Sequence, residues 1–457
     1  MPPTTSNPAP TASASASAAP EGPASAPIAE AELEGLFAPL APFRFLILAV
    51  SGGADSIAMM HLVLRWSQLH ADPSRTIIVA TVDHGLRPHS QDEAAWVAGE
   101  ARGLGLAHEV LTWRGPKPAT GVQDAARSAR YRLLSELGWR HGGAGPVAIV
   151  AAHTEDDQAE TFLMRLARGS GLDGLTGMSE SRILHPGASC RLVRPILRIS
   201  GGRLRATLQA RGLAWIEDPS NDCMRFERVR VRKASESLAA LGLTNAAIAL
   251  SGWRLERARE ALELAASRLE TMAGLDIHQG AFASFAADTF QSAAEELRLR
   301  MLARLVSAFG GQDAPARLAK LETFVSRMQV PEFSAATLGG CIVARESERV
   351  FVFREPGRAE LPELELGPGD VGVWDRRFRV ALDSAATARL RVQALGAAQF
   401  AQLRRDMAGE GGLPPARAAA TLPSFWQDGA LVAVPHLRAF VSPSPETARH
   451  CSAEFLW

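Results

Sequence analysis

Short apolar runs recur through the first half of the chain, each ending in a polar or glycine-rich turn and each followed by a stretch of helical periodicity. Leu46–Val50, Thr76–Val82, His108–Trp113 and Pro146–His153 read as strands. From Asp55 onward, Ile57, Ala58, Leu62 and Leu64 recur at helical spacing; Val122–Leu137, with Ala126, Ala129, Leu133 and Leu137 on its buried stripe, and Glu155–Arg168 read the same way. A continuous apolar run suits a strand buried on both faces, so the alternation predicts an α/β fold with a doubly wound parallel sheet. Ligands of such sheets bind at the strand C-termini, where this chain places Gly52-Gly53, Asp83-His84-Gly85 and His153. Arg191–Leu197 reads as another strand and Arg203–Arg211 as a helix. Ala214–Asp222 reads as a strand leaving into a turn at Pro219 and Asn221.

The pattern changes twice further on. From about Ala234 to Val330 it is helical and rich in Ala, Leu and Arg, with breaks at Gly274–Gly280 and Gly310–Pro315; beyond Cys341 short strands alternate with Pro/Gly turns. The 457 residues therefore divide into an Ala/Ser/Pro-rich tail (1–30), an α/β domain (31–235), a mostly helical middle domain (236–370) and a small mixed C-terminal domain (371–457). The tail has almost no large apolar side chain, which predicts disorder. It lacks the charge and the apolar stretch of a secretory signal and the arginines of a transit peptide. No apolar segment reaches membrane-spanning length, so the expectation is a soluble cytoplasmic protein.

Charge and cysteine content narrow the chemistry. The formal net charge is zero, so a polyanionic partner must meet a segregated basic face. The best candidate is Arg225–Lys233, five cations around Glu227: a solvated helix face or a phosphate-backbone contact. Cys190, Cys223, Cys341 and Cys451 are far apart with no C-x-x-C pair, which argues against a zinc knuckle, an iron–sulfur site or a disulfide framework.

Two constellations carry the chemistry. In Ser51-Gly52-Gly53-Ala54-Asp55-Ser56 the glycines let the backbone turn and offer N–H groups to an anion, at the start of a helix whose dipole favours negative charge. Ser51 and Ser56 can add hydroxyl donors, and Asp55 can hold a Mg²⁺ that bridges phosphate oxygens. The same residues also suit a plain strand-to-helix turn with Asp55 as its N-cap. The loop is neither a Walker A loop nor G-x-G-x-x-G. Further on, Asp157 and Glu160 share a helical face just beyond a strand end and form an acidic pocket. His153 precedes them and Arg168-Gly169-Ser170-Gly171 follows.

The loop by itself resembles the pyrophosphate loop of ATP pyrophosphatases. Together, SGGADS (51–56), VDHGLRPHS (82–90), DAARSARYRLL (124–134), AHTEDDQAETFLMRLARGSG (152–171), RPIL (194–197) and EDPSN (217–221) closely resemble the bacterial tRNA(Ile)-lysidine synthetases, with a weaker echo at 413–437. The resemblance implies a PP-loop catalytic domain and a tRNA-binding C-terminal domain. It implies ATP-dependent ligation of free lysine to C2 of the wobble cytidine of a CAU-anticodon tRNA(Ile), through an adenylated tRNA. By the same resemblance Ser51, Gly52, Gly53, Ala54, Asp55 and Ser56 cradle ATP, with Asp55 on Mg²⁺. Asp157 and Glu160 bind lysine, and His153 stabilises the adenylation transition state or its phosphate. Arg228 and Arg232 meet tRNA or phosphate. Arg127, Arg130 and Tyr131 match a family helix motif with packing or ion pairing as an equal alternative, and a monomer or a homodimer is left open. Arg228-Val229 departs from the Arg-Asn usual in the family. The alternatives are a related tRNA thiolation enzyme, which the scattered cysteines disfavour, and a non-catalytic RNA-binding protein, which the intact acids disfavour.

Overall fold

A computed structural model describes residues 26–457 except 71, 73, 87–89, 119, 142–145, 185–189, 218–223, 226, 313, 358–360, 407–412, 438 and 441–447. The chain separates into two compact units, 1–257 and 258–457.

The first unit is built on the anticipated parallel sheet. After a short helix α1 (Leu33–Phe37) come β1 (Phe45–Ala49), α2 (Ala54–His70), β2 (Thr76–Asp83), α3 (Ser90–Gly103), β3 (Ala107–Thr112), α4 (Val122–His141), β4 (Val147–Ala151), α5 (Glu155–Ala167) and α6 (Leu172–Leu175). Then follow β5 (Ser181–Ile183), β6 (Cys190–Val193), α7 (Gly201–Ala210), α8 (Glu227–Ala240) and α9 (Asn245–Met272). The strand order is β3-β2-β1-β4-β6-β5. All neighbours are parallel except β5, an antiparallel edge that the sequence pattern did not suggest.

Chain order reverses between β1 and β4, so the loops leaving these adjacent strands open on one crevice. Both strands are apolar because both faces are covered. Leu46, Leu48, Ala148 and Val150 pack with Ile57, Met60 and Leu204 on one side. Ile47, Val147 and Ile149 pack with Tyr131, Leu134 and Leu137 on the other.

Four local expectations change. The buried stripe of α4 runs through Ala129, Tyr131, Leu134 and Leu137, leaving Ala126 and Leu133 half-buried. The strand expected over Arg191–Leu197 stops at Val193, two residues before Pro195, where the chain turns toward α7. Ala214–Glu217 forms no strand, because the N–H of Ile216 is committed to the carbonyl of Gly52 at 2.9 Å; the rest of that segment, to 222, lies outside the described residues, as does most of EDPSN. Within the expected tail, Ile28 is buried and its N–H donates to Thr207 Oγ1 (2.9 Å), so 26–30 belong to the folded unit; 1–25 lie outside the described residues.

In the second unit, β7 (Phe282–Ala286), α10 (Ala287–Ser292), α11 (Glu295–Phe309), α12 (Leu318–Met328), β8 (Ala335–Leu338), β9 (Cys341–Glu346) and β10 (Arg349–Arg354) form helices on an antiparallel sheet of order β7-β10-β9-β8. Leu302, Leu305 and Phe309 of α11 and Phe324 and Val325 of α12 pack on Val343 and Val352 of that sheet. The remaining chain forms β11 (Leu364–Leu366), β12 (Val371–Trp374), β13 (Phe378–Leu382), β14 (Leu390–Ala394), α13 (Ala397–Asp406), α14 (Ala416–Ala419), β15 (Pro423–Gln427), β16 (Ala430–Val434), β17 (Ala439–Phe440) and β18 (Cys451–Phe455). One buried cluster joins Phe282 and Phe353 to Trp374, Phe378 and Phe425, so residues on both sides of 370 share a core. Among the described residues no helix is long and apolar enough to cross a membrane.

Candidate active site

The loop after β1 is shaped by two requirements that only glycine meets at 52. Gly52 has φ +92°, and a Cβ there would lie 2.7 Å from Ile216 Cδ1. Ser56 is buried and its hydroxyl donates to the Gly53 carbonyl (2.9 Å) while accepting from Ser51 N–H (3.2 Å). That hydroxyl therefore braces the loop and is not a spare donor for a ligand. Behind the loop, Thr81 Oγ1 donates to the Val50 carbonyl (3.0 Å) and so must accept from His108 Nε2 (2.9 Å), which fixes the tautomer of His108. Neither Thr81 nor His108 was expected to matter, because nothing in local sequence marks a cross-strand contact.

At the first turn of α2, Asp55 points into a cavity of about 770 Å³ with one carboxylate oxygen buried and without a hydrogen-bond partner among the described residues. Desolvation, then the nearby Asp157, pushes its pKa up to about 6. A half-desolvated carboxylate oxygen beside an anion-binding loop fits a hard divalent cation that completes its shell with phosphate oxygens and water. Among the described residues no group of three or more acidic, His or Cys side chains is placed to hold a metal ion.

The C-terminal end of β4 supplies the opposite wall. His153 is partly buried at the cavity wall, its pKa pushed down to about 2 by desolvation and by Arg194, Arg127, Arg228 and Arg130. Arg194 Nε donates to His153 Nδ1 (3.3 Å), so the neutral imidazole carries its proton on Nε2 and offers a donor there. Arg194, itself buried, is held by the Ser179 carbonyl at 2.7 Å. Arg130 and Tyr131 also line the cavity, and the guanidinium of Arg127 lies 5.3 Å from the Tyr131 ring.

Helix α5 begins with a reciprocal cap. Thr154 N–H donates to Asp157 Oδ2 (2.8 Å) and Asp157 N–H to Thr154 Oγ1 (3.4 Å), the spacing T-x-x-D being legible in the sequence. Asp156 ties this turn to its neighbours, accepting from Gly201 N–H (2.8 Å) and from Asn245 Nδ2 (2.7 Å).

Asp157 and Glu160 do share a face, yet they are not an empty acidic pocket. Arg228 of α8 donates from Nη2 to Asp157 Oδ1 (2.8 Å) and from Nε to Glu160 Oε2 (2.5 Å), and Arg232 Nε donates to Glu160 Oε1 (2.7 Å). Glu160 is buried, whereas Asp157, Arg228 and Arg232 line the cavity. The basic run of α8 is thus partly an internal counter-charge, which its exposed-looking sequence concealed.

One cavity therefore collects Ser51, Gly53, Ala54, Asp55, Ser56, His153, Asp157, Arg228 and Arg232, with Arg205, Trp215 and Ile216 as additions the sequence did not single out. Gly52 sits against its wall at Ile216 and Glu160 behind its arginines. It can hold a polyphosphate at the glycine loop and a cation-neutralised acidic group opposite. Cys190, Cys341 and Cys451 are all buried, the last two thiols pushed up to about 12 by desolvation, which leaves them poor sulfur nucleophiles; Cys223 lies outside the described residues.

Comparison with known proteins gives a consistent picture. A family described as a PP-loop domain matches residues 26–236. The chain is 43% identical over 309 residues to the tRNA(Ile)-lysidine synthase of Bradyrhizobium sp. (strain BTAi1), covering 66% of this chain and 84% of that protein. It is 38% identical over 398 residues to the same enzyme of Ruegeria pomeroyi, covering 86% and 89% respectively. With that of Methylobacterium sp. (strain 4-46) the identity is 43% over 320 residues, 68% of this chain and 90% of the relative.

Proposed function

Because the chain belongs to the tRNA(Ile)-lysidine synthase family, we propose that the crevice beside the glycine loop runs both halves of lysidine formation, with each group named above in a defined role. The protein is an ATP-dependent ligase that joins free lysine to C2 of the wobble cytidine of CAU-anticodon tRNA(Ile), releasing AMP and pyrophosphate. The observation that carries the assignment of roles is that the phosphate loop, His153 and Asp157 all line one cavity.

In the first half-reaction the cytosine O2 attacks the α-phosphorus of ATP, and the bond to pyrophosphate breaks. The loop from Ser51 to Asp55 and the N-terminus of α2 hold the departing phosphates, since the first N–H groups of a helix have no intrahelical partner. Asp55 would hold Mg²⁺ there, and the ion when bound would supply positive charge to the leaving group. His153, neutral and protonated on Nε2, donates to an α-phosphate oxygen as charge develops on it. Such a donor is worth roughly 10²-fold in rate.

In the second half-reaction the ε-amine of lysine attacks C2, the C2–O bond breaks and AMP departs. Asp157 and Glu160 orient the ammonium, and Asp157, the carboxylate facing the cavity, takes a proton from it so that the free amine can form the C–N bond. The second unit, including the small C-terminal region, grips the body of the tRNA, since one wobble base carries too little information to select a tRNA.

The test is transfer of radiolabelled lysine to an unmodified CAU-anticodon tRNA(Ile) transcript with Mg²⁺-ATP, in wild type and Asp55→Asn. Label in the tRNA together with AMP and pyrophosphate, from wild type alone, is the expected outcome. AMP without lysine transfer would replace the nucleophile, and no tRNA-dependent ATP cleavage by folded protein would remove the reading.

A further inference from the structure

The amine-binding carboxylates already have an occupant. Arg228 bridges both of them, with one guanidinium nitrogen 2.8 Å from Asp157 Oδ1 and another 2.5 Å from Glu160 Oε2. Its side chain remains about one-third exposed, toward the same cavity that the glycine loop lines. Arg232 donates to the other oxygen of Glu160.

Glu160 is almost wholly buried, and an ionised carboxylate in that position without a cation would be strongly unfavourable. The fold therefore has to supply a positive charge, and a substrate ammonium can reach the pair only by exchanging with it. The identity of the resident cation matters chemically. A guanidinium stays protonated at any working pH and has no free electron pair, so it can sit beside an activated base without attacking it; a lysine in its place would be a competing nucleophile.

We propose that Arg228 is a place-holder for the substrate amine: it occupies the site between Asp157 and Glu160 until a phosphate group in the cavity draws it away, so that lysine binding is coupled to nucleotide binding. This rests on the lysine-binding role given to Asp157 and Glu160 above. The coupling follows from charge. With Arg228 on the carboxylates, an incoming ammonium must displace a bidentate partner. Once Arg228 contacts phosphate, the same carboxylates are left with Arg232 alone and attract the amine. By linkage each ligand then tightens the other by the same factor. The order of events also protects the reaction, because the amine site becomes available only when a nucleotide is present.

The experiment is calorimetric titration of L-lysine into the full-length protein, with and without Mg²⁺ and α,β-methylene ATP. In the wild type the analogue should tighten lysine binding by about tenfold or more. In Arg228→Gln lysine should bind equally well with and without the analogue, at close to the affinity of the analogue-bound wild type. Arg228→Lys, which keeps one positive charge but not the two-point bridge, should recover part of the coupling and covers the case in which the glutamine variant does not fold. Equal lysine affinity in the two wild-type titrations, or undiminished coupling in the variants, overturns the place-holder while leaving the ligase reading intact. Failure of lysine to bind the analogue-saturated wild type overturns the place-holder as well. If labelled lysine is also not transferred to tRNA, the ligase reading falls with it.

Discussion

The two ends of the cavity treat a carboxylate in opposite ways. At the glycine loop, Asp55 is desolvated, has a buried oxygen with no hydrogen-bond partner among the described residues and holds its proton up to about pH 6. At the start of α5, Asp157 and Glu160 are met by Arg228 and Arg232 within hydrogen-bonding distance. Burial is deeper at Glu160 than at Asp55, so burial alone does not explain the contrast. The difference lies in what the fold supplies. One end leaves a carboxylate oxygen without a partner among the described residues, where we propose a divalent cation binds with the nucleotide; the other carries its own cations, one of which we propose is exchanged for the substrate amine. A binding site can be poised by strain at one end and by internal compensation at the other.

The comparison is tested most severely by neutralising each end in turn. Asp55→Asn should cut lysine transfer by roughly 10²–10³-fold by removing the cation site. The same change should stabilise the unliganded fold at pH 8 by on the order of 2–3 kcal/mol, because the folded-state pKa is raised and the ionised carboxylate is the unfavourable form. The sign gives a pH window. Wild-type stability from this group is present below about pH 4 and lost as pH rises through 6, so the two proteins should converge in acid denaturant titrations and separate above pH 6. Glu160→Gln should do the reverse, destabilising by roughly 1–3 kcal/mol, a value reduced because both arginines are partly exposed. Stability changes of the same sign in the two variants would break the contrast.

His153→Ala should lower the rate of adenylation by about 10²-fold, read as tRNA-dependent AMP formation. Because the imidazole stays neutral to about pH 2, the remaining acid limb of the wild-type rate should belong to Asp55, with Mg²⁺-ATP affinity falling up to tenfold per pH unit below 6. An acid limb centred on the ordinary imidazole pKa, and lost in the alanine variant, would move that titration to His153. The smallest effect is expected behind the loop. Thr81→Val removes the hydrogen bond to the Val50 carbonyl and should raise KM for ATP a few-fold, for about 1 kcal/mol.

Much of this site is local and was readable. The strand-to-helix turn at Gly52-Gly53 and the common face of Asp157 and Glu160 each follow from residues within one turn of one another, where backbone geometry decides, as does the T-x-x-D cap of α5 that the sequence reading passed over. Long-range partners were not readable. Arg228 lies 71 residues from Asp157, and Asn245 lies 89 residues from Asp156. Nothing near any of these positions in the chain distinguishes a guanidinium that neutralises a buried acid from one that faces solvent. Likewise β7 is a short run in a helical stretch, and only its pairing with β10 makes it a strand.

By itself the sequence determined the alternation of elements, the α/β class of the first unit, the phosphate loop and the family, because periodicity, glycine placement and ordered motifs are properties of neighbouring residues. The tertiary structure alone decided that the acidic pair is already paired, that Asp55 is desolvated with its pKa raised, that Ile216 closes the loop in place of a strand, and that one core spans residue 370. Those outcomes depend on which distant side chains share a low-dielectric space, where the energy of a charge is set by its nearest partner in three dimensions and not by its place in the chain.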